Sequence, residues 1–203
     1  MHIFASMQAD TRQRILEKNF EVMHEHGYQG MRADKVVKEL GITKGALYHY
    51  FESKQALGYA IVDELIGPMY RQLWSQANQP DRPPLQAIET LLRRLMAQQP
   101  QEKIRLGCPL NNLMQEMSPL DEGFRVRLQR ILTDMQTQIA QALRRAQAQG
   151  HLRTGVQPED VAAFLVAAVE GAFGTAKVLQ SPAFLESAMH ALIDYVQRLA
   201  ADT

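Results

Sequence analysis

The chain is short of several things at once, and each shortage removes a class of protein. It has one cysteine in 203 residues, so an internal disulfide framework and a cysteine-rich zinc site are both excluded. It has no excess charge, with 22 Lys+Arg against 22 Asp+Glu. The whole chain therefore announces no polyanionic partner, and any basic face must be local. Aromatic residues make up only 7%, too few for a large aromatic cage. The longest apolar run, residues 161–169, is nine residues between Asp160 and Glu170; a membrane-spanning helix needs about 20. Residues 1–10 have neither a cationic start nor a long apolar stretch, so no secretory signal is read there. With 46% hydrophobic and 22% charged residues, the chain is not intrinsically disordered. The expectation is a soluble, cytoplasmic protein with no membrane partner.

Turn signals are sparse and regular. Gly27 and Gly30 close a first helix, and Gly41 sits in a short break. Asn78-Gln79-Pro80-Asp81-Arg82-Pro83-Pro84 is the clearest linker. Further breaks are expected at Pro100, Gly107-Cys108-Pro109, Ser118-Pro119, residues 150–158 and Ser181-Pro182. Between them the apolar spacing is helical. Phe124, Leu128, Ile131, Leu132, Met135, Ile139 and Leu143 recur at steps of three and four, which predicts a long amphipathic helix over 124–149. Leu185, Met189, Leu192, Ile193, Val196 and Leu199 do the same near the end. Gly150 suits a helix stop, and Pro158-Glu159-Asp160 a helix start. No strand pattern is found. The fold class read from this is all-α, with about nine helices.

Residues 11–60 carry the chemistry. Ala33 to Leu40 reads as a short helix, Gly41-Ile42-Thr43 as a tight turn, and Lys44-Gly45-Ala46-Leu47-Tyr48-His49-Tyr50-Phe51 as a second short helix. Two short helices around a glycine-containing turn make a helix-turn-helix, here over about 32–51. Thr43 is placed to cap the second helix. Lys44 is in reach of a phosphate. Gly45 and Ala46 are small, so the helix can approach a major groove closely. Tyr48, His49 and Tyr50 supply donors for phosphates and base edges, and Lys54 opens the next helix. Eight cations and seven anions lie within residues 1–55, so a basic face must arise by placement, and salt dependence rests on a few contacts.

Thr11 to Leu16, followed by the run from Gly41 through Leu57, resembles the TetR/AcrR family of bacterial transcriptional regulators over residues 9–69. The resemblance implies an N-terminal three-helix DNA-binding domain (9–69) and a helical C-terminal domain (70–203) that holds an effector site and the dimer interface. It implies a homodimer on a palindromic double-stranded operator, with Arg32, Thr43, Lys44, Gly45, Ala46, Tyr48, His49, Tyr50 and Lys54 as candidate DNA contacts. Where the family usually has Thr or Ser at the start of the first motif helix, this chain has Met31 and Arg32. Asp34 is then the expected cap, and Arg32 a substitute phosphate contact.

The second domain offers fewer signals. Residues 161–174 are apolar on nearly all sides, which predicts a helix buried all round, either in a symmetric dimer interface or within one subunit. Gly107-Cys108-Pro109-Leu110-Asn111-Asn112 resembles an electrophile-sensing subgroup of the same family and makes Cys108 the candidate sensor. Lys103 and Arg105 stand close in sequence and are positioned to lower the thiol pKa if they point toward it; the alternative is a small buried apolar cysteine. Glu170 and Lys177 interrupt an apolar helix and face either a ligand or water. The sequence has no Gly-rich phosphate loop, no Gly-x-Ser-x-Gly and no His-Glu-x-x-His. His24 and His26 fall on different helix faces, so no metal is expected, and no cofactor is implied. The leading reading is a repressor released by a small molecule or a reactive electrophile. A regulator without a small-molecule effector is the alternative, and a cysteine-dependent enzyme the remote one.

Overall fold

The computed structural model describes the backbone of residues 2–97 and 101–201, with side chains from residue 10 onward within those ranges. The break expected at Pro100 lies outside the described residues. The all-α expectation holds among the described residues, where the only β pairing is an isolated bridge between Leu152 and Ala200. The helices are α1 (His2–Gly30), α2 (Ala33–Glu39), α3 (Lys44–Tyr50), α4 (Lys54–Ala60), α5 (Gly67–Trp74), α6 (Pro84–Ala97), α7 (Gln101–Leu106), α8 (Pro109–Met117), α9 (Glu122–Ala148), α10 (Pro158–Leu179) and α11 (Pro182–Gln197). A π turn, Ile61–Ile66, joins α4 to α5. Helix α1 starts well before Thr11, because no Gly or Pro interrupts the chain ahead of Gly27. At Gly27 it breaks, with φ 76° and ψ 165°.

The described chain divides into two compact units: Met1–Pro68 with Asn112–Leu128, and Met69–Asn111 with Gln129–Thr203. In the first, Ile15, Leu16, Met31, Val37, Leu57 and Ile61 are fully buried, each such side chain contributing about 1.5–3 kcal/mol. Phe124 packs edge-on against Tyr28 and Tyr59, with ring centroids 4.7 and 5.0 Å away. Gly58 lies under these rings. A Cβ there would sit 2.6 Å from Tyr28 Cε2 and 2.7 Å from Phe124 Cζ, so only glycine fits.

In the second unit α6, α10 and α11 pack together around Ile88, Leu91, Leu92, Val166, Val169, Met189 and Ile193. Helix α9 buries Ile131, Met135, Ile139 and Leu143 at the expected spacing. Proline opens α10 at its first turn, and Ser181 caps α11 by accepting from the Phe184 N–H at 3.1 Å. Two expectations for α10 need correcting. Counting only its uninterrupted run understated it: α10 is 22 residues long and contains a window of 18 with a mean hydropathy of 1.6, long and apolar enough by composition to cross a bilayer. It is a half-buried packing helix all the same, covered by α11 on one side. Nor is it buried all round within one subunit, because Phe164 is 49% exposed and, at its end, Val178 and Leu179 are 81 and 56% exposed.

Candidate DNA-binding face and effector site

The helix-turn-helix is built by local chemistry. The Gly41 N–H donates to the Lys38 carbonyl at 3.0 Å and the Ile42 N–H to the Val37 carbonyl at 2.8 Å. This wraps the end of α2 and needs the positive φ of 72° at Gly41. Ile42, inside the turn, is half-buried. Thr43 Oγ1 accepts from the Ala46 N–H at 3.1 Å and so caps α3. Leu47 (2% exposed) and Phe51 (4%) pin α3 to the first unit.

That anchoring leaves the other side of α3 free. Lys44, Gly45, Tyr48 and His49 are exposed, and Ala46 and Tyr50 half-exposed. Lys44 Nζ stands 5.8 Å above the Tyr48 ring, and His49 meets Tyr50 edge-on at 5.3 Å. A Cβ built on Gly45 meets nothing nearer than Thr43 Oγ1 at 3.9 Å. The fold itself does not require a glycine there.

At α2 the expected cap does not form. Arg32 occupies the cap position without a side-chain bond, and Asp34 lies inside the first turn, 3.9 Å from the Arg32 guanidinium. Arg32 is exposed and available to a phosphate. Lys54 is turned inward instead: its amine donates to the Gln29 carbonyl at 3.1 Å and lies 4.8 Å over the Tyr28 ring. Burial lowers its pKa.

Acids distant in sequence support this face. Glu116 accepts from the Tyr28 and Gln29 N–H groups, at 2.8 Å each, just past the break in α1. Asp121 accepts from the Tyr59 hydroxyl at 2.6 Å and from the Phe124 N–H at 2.9 Å, capping α9. Arg12 pairs with Glu64 through two bonds of 2.6 Å. Neither Glu116 nor Asp121 is marked for this role by its neighbours in sequence.

In the second unit Cys108 is 8% exposed, Tyr70 8% and Glu170 7%. The Tyr70 hydroxyl lies 2.9 Å from Cys108 Sγ. The Asn111 N–H donates to the same sulfur at 3.3 Å, while Asn111 Nδ2 donates to the Glu170 carbonyl oxygen at 2.7 Å. The Glu170 carboxyl lies beside the thiol, and its Oε2 is buried with no hydrogen-bond partner. Burial, reinforced by the Glu170 charge, pushes the Cys108 thiol well above its ordinary range. Burial likewise raises Tyr70 and lifts Glu170 to about 6. The lowering expected from Lys103 and Arg105 does not occur, because α7 turns Ile104 inward and leaves both cations exposed. Glu170 is buried rather than at a wet edge, and Lys177 lies across Gly107, its Cδ 2.8 Å from where a Cβ would stand. No group of three or more His, Cys, Asp or Glu residues is placed to hold a metal ion among the described residues.

Comparison with known proteins bears on both units. Residues 15–61 match the model for bacterial regulatory proteins of the tetR family, and residues 84–192 match the tetracyclin repressor-like C-terminal domain. The transcriptional regulator AcuR of Cereibacter sphaeroides is 31% identical, over 86% of this chain and 80% of its own. The HTH-type transcriptional repressor DhaR of Mycobacterium sp. strain GP1 is 27% identical, over 82% of each. Among solved structures, the reduced form of NemR from E. coli superposes with a TM-score of 0.83 at 25% identity, over 96% of this chain and 98% of that one. The chain belongs to the TetR family of bacterial regulatory proteins and is a DNA-binding transcriptional regulator.

Proposed function

We propose that the chain is a cytoplasmic homodimeric repressor, held on a palindromic operator until an effector engages its second unit. The observation that carries this is the exposed side of α3. Leu47 fixes the helix from behind, and Lys44, Tyr48 and His49 stand together on the free side. In this reading residues 9–69 bind DNA and residues 70–203 dimerise and sense. Lys44, Tyr50 and Arg32 hold phosphates, Ala46, Tyr48 and His49 meet the groove, and Gly45 lets the backbone come close. Lys54 reaches a phosphate only if its amine leaves Gln29. The exposed apolar side of α10, with Phe164 against Tyr195 of α11 at 5.0 Å, supports self-association, since a face of that composition on a lone chain is unusual. Repression is supported by the names of two relatives, DhaR and NemR. The effector acts at Cys108 as a small molecule or electrophile, and it shifts the equilibrium only by binding one state better than the other.

The test is fluorescence anisotropy on the DNA flanking the protein's own gene, titrated with salt. Saturable binding to one fragment, at least about a hundredfold tighter than to random DNA, is expected. Equal binding to every fragment, with and without added small molecules, overturns the reading. The Cys108→Ser variant is expected to keep operator binding and to lose release by electrophiles.

A further inference from the structure

Of the lysine and arginine candidates for DNA contact, Arg32 and Lys44 are exposed, whereas Lys54 is half-buried. Its amine donates to the Gln29 carbonyl at 3.1 Å and lies 4.8 Å over the Tyr28 ring. That ring is itself fixed, by Phe124 at 4.7 Å and by the backbone of Gly58, where no Cβ fits. The same two residues are held from their N–H side, because Glu116 accepts from Tyr28 and Gln29 at 2.8 Å each. A carboxylate thus takes the donors of this segment, and an ammonium takes one of its acceptors.

The segment matters for where it leads. It follows the break in α1 at Gly27, where the backbone leaves helical geometry, so helix geometry no longer sets the direction of the chain. Three residues past Gln29 stands Arg32, at the cap position of α2 and without a side-chain cap of its own. Met31, between them, is fully buried, and its N–H turns back to the Gly27 carbonyl at 3.1 Å. We propose that Lys54 serves DNA recognition as a positioning residue and not as a phosphate ligand: with Glu116 it clamps Tyr28 and Gln29, and so sets where Arg32 and the helix-turn-helix stand. This rests on the reading of Arg32 and the exposed side of α3 as the DNA face.

The two roles differ in what they do to binding. A cation that neutralises a phosphate releases counterions and steepens the salt dependence; a cation already spent on a carbonyl and a ring releases none. To reach a phosphate, the Lys54 amine would have to give up a charge-assisted hydrogen bond and the face of Tyr28. A positioning residue acts before binding instead. It orders the turn in the free chain, so that DNA does not have to. Random DNA is held by exposed cations on flexible stems and tolerates a loosened turn. A specific duplex needs α3 in one register against the base edges and does not.

The experiment measures the full chain by fluorescence anisotropy across a salt series, on a duplex enriched from a random pool by the wild-type chain and on a random duplex. Lys54→Met keeps the stem and removes the amine. It is expected to bind the random duplex with the wild-type salt slope, and the enriched duplex about tenfold more weakly. Glu116→Ala is expected to lose discrimination in the same direction, although it removes a negative charge, which no lost phosphate contact explains. Lys54→Arg, long enough to lie over Tyr28 and donate to the same carbonyl, is expected to restore affinity for the enriched duplex. Lys44→Ala reports on the DNA face itself and is expected to lower the slope by about one. A slope that falls by about one in Lys54→Met makes Lys54 a phosphate ligand and overturns the proposal. Discrimination within about twofold of wild type in both Lys54→Met and Glu116→Ala overturns it too. If Lys44→Ala leaves the slope unchanged, the DNA face is misread and the proposal falls with it.

Discussion

Removing the Glu116 carboxylate tests how the first unit holds the end of α1. Its two oxygens accept from the Tyr28 and Gln29 N–H groups at 2.8 Å each. A hydrogen bond to a charged group is worth about 1.5–3 kcal/mol. Gln29 is exposed and Tyr28 half-buried, so the lower end applies, giving about 3 kcal/mol for the pair. That equals rather more than a hundredfold in a local opening equilibrium. Glu116→Ala is therefore expected to speed amide exchange at residues 28 and 29 by about a hundredfold, with little change at Leu16 and Leu57 in the core. Glu116→Gln keeps one acceptor and falls near tenfold. Gly27→Ala attacks the same contact from the other side. The added Cβ would stand 2.9 Å from Glu116 Oε2, in a backbone region costing about 1–3 kcal/mol for any other residue. In the double variant the clash vanishes and the backbone cost stays, so the two effects should sum to less than their parts. Hydrogen-exchange mass spectrometry resolves all of this. Acceleration below about threefold in Glu116→Ala refutes the claim that this carboxylate clamps α1.

Three further outcomes are expected. Thr43→Ala removes the cap on α3 at a cost of about 1 kcal/mol; Thr43→Ser should restore it, as read by thermal denaturation and operator affinity. Lys44→Ala should weaken binding to operator and random DNA alike and reduce the salt slope by about one, which a salt titration checks. For Glu170, the native carboxyl at about 6 against an ordinary 4.5 means that the native state binds the proton more tightly. Stability is then full below pH 4.5 and falls as pH rises through 6, by about 2 kcal/mol. Glu170→Gln should escape that fall, so its stability advantage over wild type should grow between pH 5 and 7 in chemical denaturation.

The elements that read well from the sequence are those closed by their own neighbours. The turn at Gly41, the Thr43 cap and the anchor at Leu47 involve residues within four positions of one another, and α9 repeats its apolar residues over many turns. The supports of the site did not read, because their partners lie far along the chain. Glu116 meets Tyr28 across 88 positions and Asp121 meets Tyr59 across 62, and nothing local distinguishes either from a solvated acid. Lys54 had the right place for a phosphate, but the position of Gln29 and Tyr28 decides where its amine goes. The burial of Glu170 beside Cys108 depends on α5 and α8 arriving from elsewhere in the chain, so one acid in an apolar helix left both readings open. The charge of Lys103 and Arg105 was legible, whereas the direction in which α7 points them was not.

Gly45 and Gly58 separate two kinds of constraint. At Gly58 the neighbouring rings occupy the volume any side chain would need, so intolerance there belongs to the folded chain alone. At Gly45 the space is open, and the chain by itself gives no reason to keep the position small. A saturation library scored once for cellular abundance and once for repression would tell the two apart. Position 58 should fail both screens. Position 45 should pass the first and fail the second, because whatever forbids bulk there lies outside this polypeptide. Disagreement between the two scores, mapped over the whole surface, would outline the operator's footprint without a structure of the complex.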